Sequence, residues 1–111
     1  LVVGSKSDLG PVAVDGALRE LGHADRTLGQ VLDVRSLEAQ QAVWDAAVAR
    51  FAQVDMWINN AAIATDPVLL ADLPADQIRQ TVDTNLLGTL YGCKVGRACR
   101  RTAPPSARCA T

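Results

Sequence analysis

One pattern constrains this chain more than any other. Three short apolar, β-branched runs each end on small or polar residues, and each leads into a segment with helical periodicity. Leu1-Val2-Val3 precedes a polar loop from Gly4 to Gly10, and Gln30-Val31-Leu32-Asp33-Val34 ends on a carboxylate. Val54-Asp55-Met56-Trp57-Ile58 runs straight into Asn59-Asn60-Ala61-Ala62. Strands alternating with helices of more than about ten residues imply βαβ units and a parallel sheet. Right-handed crossovers then lay the helices over the sheet faces. Ligands in such sheets sit beyond the carboxyl ends of the strands. The candidate site is therefore the set of residues just after each run: Gly4 to Gly10, Asp33, and Asn59 to Ala62.

The helices carry their own signals. Pro11 suits a first helical position, Val12, Val14, Leu18 and Leu21 form a stripe, and Gly22 suits a left-handed cap. Ser36 is a good N-cap with Glu38 in the first turn, and Leu37, Val43, Trp44, Ala47, Val48 and Phe51 recur at helical spacing to about Ala52. Pro74 starts a last helix, marked by Ile78, Val82, Leu86, Leu87 and Leu90 and ending near Arg97. The expected order is β-α-gap-β-α-β-loop-α.

Composition excludes several classes. At 111 residues and 49% hydrophobic, the chain allows one domain and is too apolar for disorder. No run approaches the roughly 20 apolar residues of a membrane span, and Leu1-Val2-Val3 is expected to be a buried strand, not a signal peptide. Three cysteines, Cys93, Cys99 and Cys109, lack zinc-site spacing, so no metal site is expected and free thiols in a cytoplasmic setting are. His23 alone cannot build a multi-histidine centre. Charge is split: residues 1–93 hold 6 basic and 12 acidic side chains, whereas Lys94, Arg97, Arg100, Arg101 and Arg108 stand without an acid after them. With Pro104-Pro105 and no aromatic after Tyr91, residues 98–111 read as a disordered basic tail without a strand, not as a nucleic-acid arm.

Three motifs in order resemble the short-chain dehydrogenase/reductase family, most clearly over residues 30–97. Leu32-Asp33-Val34 resembles the family's Asp-Val, which meets the adenine ring. Ile58-Asn59-Asn60-Ala61-Ala62 resembles its Asn-Asn-Ala-Gly, with Ala62 for the last Gly. Asp83-Thr84-Asn85-Leu86-Leu87-Gly88 resembles the helix stretch carrying its structural and proton-relay Asn. The glycine-rich turn is a poorer match: Gly4-Ser5-Lys6-Ser7-Asp8-Leu9-Gly10 keeps the first and third glycines, with Asp8 in place of the middle one. A carboxylate about 5 Å from a pyrophosphate costs roughly 3 kcal/mol at an effective dielectric near 20. That loop also resembles the Gly-Ser-x-Ser-Asp loop of carboxyaminoimidazole ribonucleotide mutase, in which the Asp is native, although that family's later motif is missing.

The resemblance implies an α/β fold, a partial Rossmann-like doubly wound parallel sheet over residues 1–97. It implies NAD or NADP as cofactor, with Gly4, Ser7, Leu9, Gly10, Asp33, Val34, Asn60, Ala61 and Ala62 in the binding site and Asn85 in the catalytic apparatus. It implies pairing of subunits through the helix over 74–97, where Asn85, Gly88 and Gly92 leave a narrow face of little bulk. Two features depart from the family. Ten residues separate Gly22 from Asp33, too few for the family's second strand and helix, whose strand end selects NAD or NADP. The catalytic Tyr-x-x-x-Lys is missing: Val95 lies four residues after Tyr91, the single tyrosine, and Lys94 is one position short. The expectation is the cofactor-binding half of an oxidoreductase, inactive alone. The alternative is a non-catalytic nucleotide-binding or subunit-interaction module.

Overall fold

The computed structural model describes residues 2–5, 16–65, 67–102 and 108–110, with the backbone alone for 2–5, 97–102 and 108–110. Strand β1 is Val2–Ser5 and pairs in parallel with β2, Leu28–Val31, in the register Val2↔Leu28 to Ser5↔Val31. Strand β3, Met56–Ile58, pairs in parallel with β4, Arg108–Ala110. The α/β class with parallel pairing is as expected. Among the described residues the strands form two separate two-stranded sheets, not one continuous sheet.

Several boundaries differ from the sequence reading. Gly4 lies within β1, paired with Gln30, and does not open the loop. β2 starts two residues earlier than expected and ends three earlier, because Asp33 and Val34 enter a turn. There the Asp33 carboxylate accepts from the Arg35 backbone N–H at 3.0 Å, and the Ser36 N–H donates to the Asp33 carbonyl. β4 forms where the sequence offers no strand signal: its three residues have no periodicity, and the open edge of β3 supplies partners for their backbone groups.

Helix α1, described over 16–20, closes as anticipated on Gly22 at φ +78°. His23 N–H donates to Leu18 O and Gly22 N–H to Arg19 O, the paired bonds of a Schellman motif. A 3-10 turn, Ala24–Arg26, follows. Helix α2, Leu37–Phe51, begins at Ser36, whose hydroxyl accepts from the Ala39 N–H, and ends on Ala52 in the left-handed conformation.

The last helical region is one rod of three parts: α3, Ala75–Thr81; a π-helical stretch, Val82–Leu87; and α4, Gly88–Thr102. It extends five residues beyond the expected Arg97. The core lies where α2, α4 and β3 meet. Buried Trp44 and Val95 pack with Leu37, Val54 and Trp57, and the two tryptophan rings sit 5.9 Å apart between centroids.

Candidate functional site

Beyond the level ends of β1 and β2 the chain turns through Asp33, Val34, Arg35 and Ser36 into α2. Arg35 grips Asp33 from three directions. Its backbone N–H and its Nε donate to Oδ1, each at 3.0 Å, and its Nη2 donates to Oδ2 at 2.6 Å. The paired guanidinium keeps its proton more tightly than an ordinary arginine, first through the hydrogen bond to Asp33 and then through its charge; Asp83 adds to this. Asp33, Arg35, Ser36, Asp83 and Leu87 line an open cleft of about 370 Å³.

The turn is fixed from behind by a residue that the motif reading missed. Gln40 is 1% exposed, and its Nε2 donates to Val34 O at 2.6 Å and to Gly88 O at 2.9 Å. One buried amide therefore ties the β2–α2 turn to the last helix. The signal was available: Gln40 falls at an i+3 position of the Leu37, Val43, Trp44, Ala47 stripe, where a polar residue needs a buried partner.

Gly88 and Gly92 take the role their size permits, but toward the inside. A Cβ on Gly88 would meet Val34 Cγ2 at 2.9 Å, and one on Gly92 would collide with the Asn59 amide. The small face expected to receive a second subunit is filled by the chain's own Val34, Asn59 and Gln40. The outward face carries Ile78, Val82, Leu86 and Leu90, all exposed. Spacing revealed a gap in bulk along the helix, not which neighbour fills it.

The loop after β3 is tied to the last helix. Asn59 points inward, accepting from Trp57 Nε1 at 2.9 Å and donating to Cys93 Sγ at 3.7 Å. Asn60, Ala61 and Ala62 are exposed. Asn85, in the π-helical stretch, clamps the loop from the helix: its Oδ1 accepts from Ile63 N at 2.9 Å and its Nδ2 donates to Ile63 O at 2.8 Å. This is the reason for an asparagine in mid-helix, and π-helical turns recur at functional positions. Ser7, Leu9 and Gly10 lie outside the described residues. Tyr91 is half-buried and Lys94 exposed. Among the described residues no cluster of histidine, cysteine and carboxylate could hold a metal, and no helix is long and apolar enough to cross a membrane.

Parallel strand pairs, a cleft past their carboxyl ends, and a small-residue loop clamped by a helical asparagine define an α/β protein of the doubly wound type. The family model of short chain dehydrogenases matches residues 4–98, and the chain belongs to that family. The cis-2,3-dihydrobiphenyl-2,3-diol dehydrogenase of Paraburkholderia xenovorans is 38% identical over 79 residues, which are 68% of this chain and 28% of that protein. The (-)-trans-carveol dehydrogenase of Rhodococcus erythropolis is 41% identical over 63 residues, 57% of this chain and 23% of its own. Among solved structures, an actinorhodin polyketide ketoreductase with NADPH has a TM-score of 0.78 at 29% identity, over 92% of this chain and 40% of that one. A family member from Burkholderia phymatum in complex with NAD has a TM-score of 0.82 at 24% identity, over 89% and 34% of the two chains. The chain thus spans about a quarter to two-fifths of the length of these relatives.

Proposed function

We propose that this chain is the cofactor-binding portion of a nicotinamide-dinucleotide oxidoreductase and does not itself carry the catalytic pair. The observation behind this is the joint geometry of Asp33, Gln40 and Asn85. Gln40 ties the turn after β2, which carries Asp33, to the last helix, and Asn85 ties the loop after β3 to the same helix. The donor set fits the adenosine half of a dinucleotide: a carboxylate to accept from ribose hydroxyls and exposed Ala61 and Ala62, whose size lets a ligand lie on the backbone. Gly4, Ser7, Leu9 and Gly10 are assigned to the phosphates, and Val34 and Asn60 to the adenosine side.

When bound, the dinucleotide supplies or accepts a hydride. This chain's share is to bind and orient it. Asn85 is assigned to positioning the loop and, in a complete site, to the proton relay; the tyrosine and lysine of general acid–base work have no counterpart at the required spacing. The test is thermal stability with and without NAD and NADP. A rise in Tm with either supports the reading, since a ligand that binds only the folded state stabilises it. No shift at millimolar ligand, or carbonyl turnover abolished by Tyr91→Phe, counts against it.

A second reading concerns assembly. Ile78, Val82, Leu86 and Leu90 recur every four residues along the outer face of the last helix, and all are more than a third exposed. That row supports pairing of two copies through the helix over 74–97, by its apolar outer face.

A further inference from the structure

Val82–Leu87 is wound as a π-helix between two α-helical segments, and the Gly88 N–H closes it by donating to Asp83 O, five residues back. π-Helical turns are rare, well under about 1% of residues, and hold one residue more than the α-turn they replace. Relaxing the stretch to α-helix would shift its residues by one position, a rotation of about 100°. Two sets of contacts depend on the register. Asp83 and Leu87 line the cleft beside Asp33, Arg35 and Ser36, and Asn85 meets both the N–H and the carbonyl of Ile63.

The stretch does not hold that register by its own packing. No residue of Ala75–Thr81 or Val82–Leu87 is buried, and the loop that Asn85 grips is itself exposed from Asn60 to Ala64. Burial along the helical rod begins at Gly88. There the Gly88 carbonyl accepts from Gln40 Nε2 at 2.9 Å, across 48 residues of sequence, while the same Nε2 donates to Val34 O at 2.6 Å. Both hydrogens of one buried amide are thus committed to main-chain carbonyls on two different elements. The helix is shaped to admit that amide. Gly88 has no side chain where Val34 lies against it, and a Cβ on Gly92, one turn on, would meet Gln40 Oε1 at 3.0 Å. Thr89 Oγ1 donates to Asn85 O at 2.8 Å, so the anchored turn of α4 reaches back to Asn85 itself.

We propose that Gln40 is a positioning residue for Asn85. Its bond to Gly88 O fixes the end of the π-helical stretch against the β2–α2 turn, and thereby the direction in which Asn85 reaches Ile63. Both of its amide hydrogens go to Val34 and Gly88, so it acts on Asn85 through Gly88 and the turn that Thr89 bonds back. Its functional meaning rests on the reading of Asn85 as part of an oxidoreductase site, whereas the register itself does not. In that site one buried amide sets two things: the cleft wall made by Asp83 and Leu87, and the grip on the loop after β3.

Residue-resolved amide hydrogen exchange of the full chain, without ligand, tests this. Gln40→Met keeps the side-chain length and removes both donors. It is expected to quicken exchange at Ile63 on the order of tenfold, while amides in the second half of α2 keep their protection. Adding Asn85→Ala to Gln40→Met is expected to quicken Ile63 no further than Asn85→Ala alone, because both act on one contact. Gln40→Asn, whose amide is one methylene too short to span the two carbonyls, repeats the measurement if the methionine variant does not fold. Three results overturn the assignment: parent-like protection of Ile63, a quickening shared equally by α2, or effects of the two substitutions that simply add. The cofactor experiment is separate. No Tm shift of the parent chain with NAD or NADP sinks the dinucleotide reading and leaves the register assignment standing.

Discussion

At the scale of single residues, two glycines of one chain have opposite needs. Gly88 has Val34 Cγ2 at 2.9 Å and Val34 Cβ at 3.2 Å from where its Cβ would be, and valine has little rotamer freedom with which to yield. Gly16 has nothing within 4 Å. Gly88→Ala is therefore expected to destabilise by about 1–3 kcal/mol, whereas Gly16→Ala is expected to stabilise by up to about 1 kcal/mol through helix propensity. Urea denaturation of the two variants checks the contrast, which identical effects would refute. Glu38 is a second residue-scale case. Its own backbone N–H and then the Ser36 hydroxyl hold its carboxyl below the ordinary value of 4.5. Because the folded-state value is the lower one, the associated stability is present above the unfolded-state value and is lost as pH falls through the folded one. Glu38→Gln is expected to flatten the fall of Tm with pH below about 4.5, as read by melting curves across acidic buffers. Such details were partly legible in sequence. Ser36 and Glu38 announce a helix start, but nothing in the spacing of Gly88 says that Val34 lies against it.

At the scale of elements, local signals did well where local chemistry decides and poorly where a neighbour decides. Helix α2 begins and ends where its cap and stripe place it, because Ser36 bonds to Ala39 N–H within three residues. β2 ends three residues early because the Asp33–Arg35 turn competes with extension. β4 has no local signal at all, since a partner edge makes it a strand. Asn85 joins two elements: both of its amide groups are bonded to Ile63, across 22 residues of sequence. Asn85→Ala removes both bonds, each worth about 1 kcal/mol, against a modest gain in helix propensity. Net destabilisation of about 1 kcal/mol is expected. Amide hydrogen exchange at Ile63 should quicken while exchange within α2 does not. Unchanged protection at Ile63 would show that the loop is held by something else.

At the scale of the whole molecule, the described residues cover little apolar surface. Among the described residues the buried hydrophobic side chains are Leu32, Val43, Trp44, Ala47 and Val95, while Met56 and Ile58 of β3 are 57% and 64% exposed. The row Ile78, Val82, Leu86 and Leu90 adds a further uncovered face. Contiguous apolar surface of this kind drives association. Sedimentation velocity is expected to show concentration-dependent association that Leu86→Ser with Leu90→Ser weakens. Both side chains are more than half exposed, so the monomer's Tm should change by little. Association that survives the double variant would assign the contact to the β3 face instead.

The sequence by itself determined the alternation of strands and helices, the cap of α2 and the turn at Gly22, because each follows from periodicity or from bonds spanning a few positions. Its three ordered motifs were enough to indicate the family. Only the tertiary structure decided that β2 stands directly beside β1, that Gln40 links Val34 to Gly88, and that the glycine face of the last helix is turned inward. These depend on which distant surfaces meet. A missing side chain or an unpaired strand edge is visible along the chain, but its partner is chosen by packing in three dimensions.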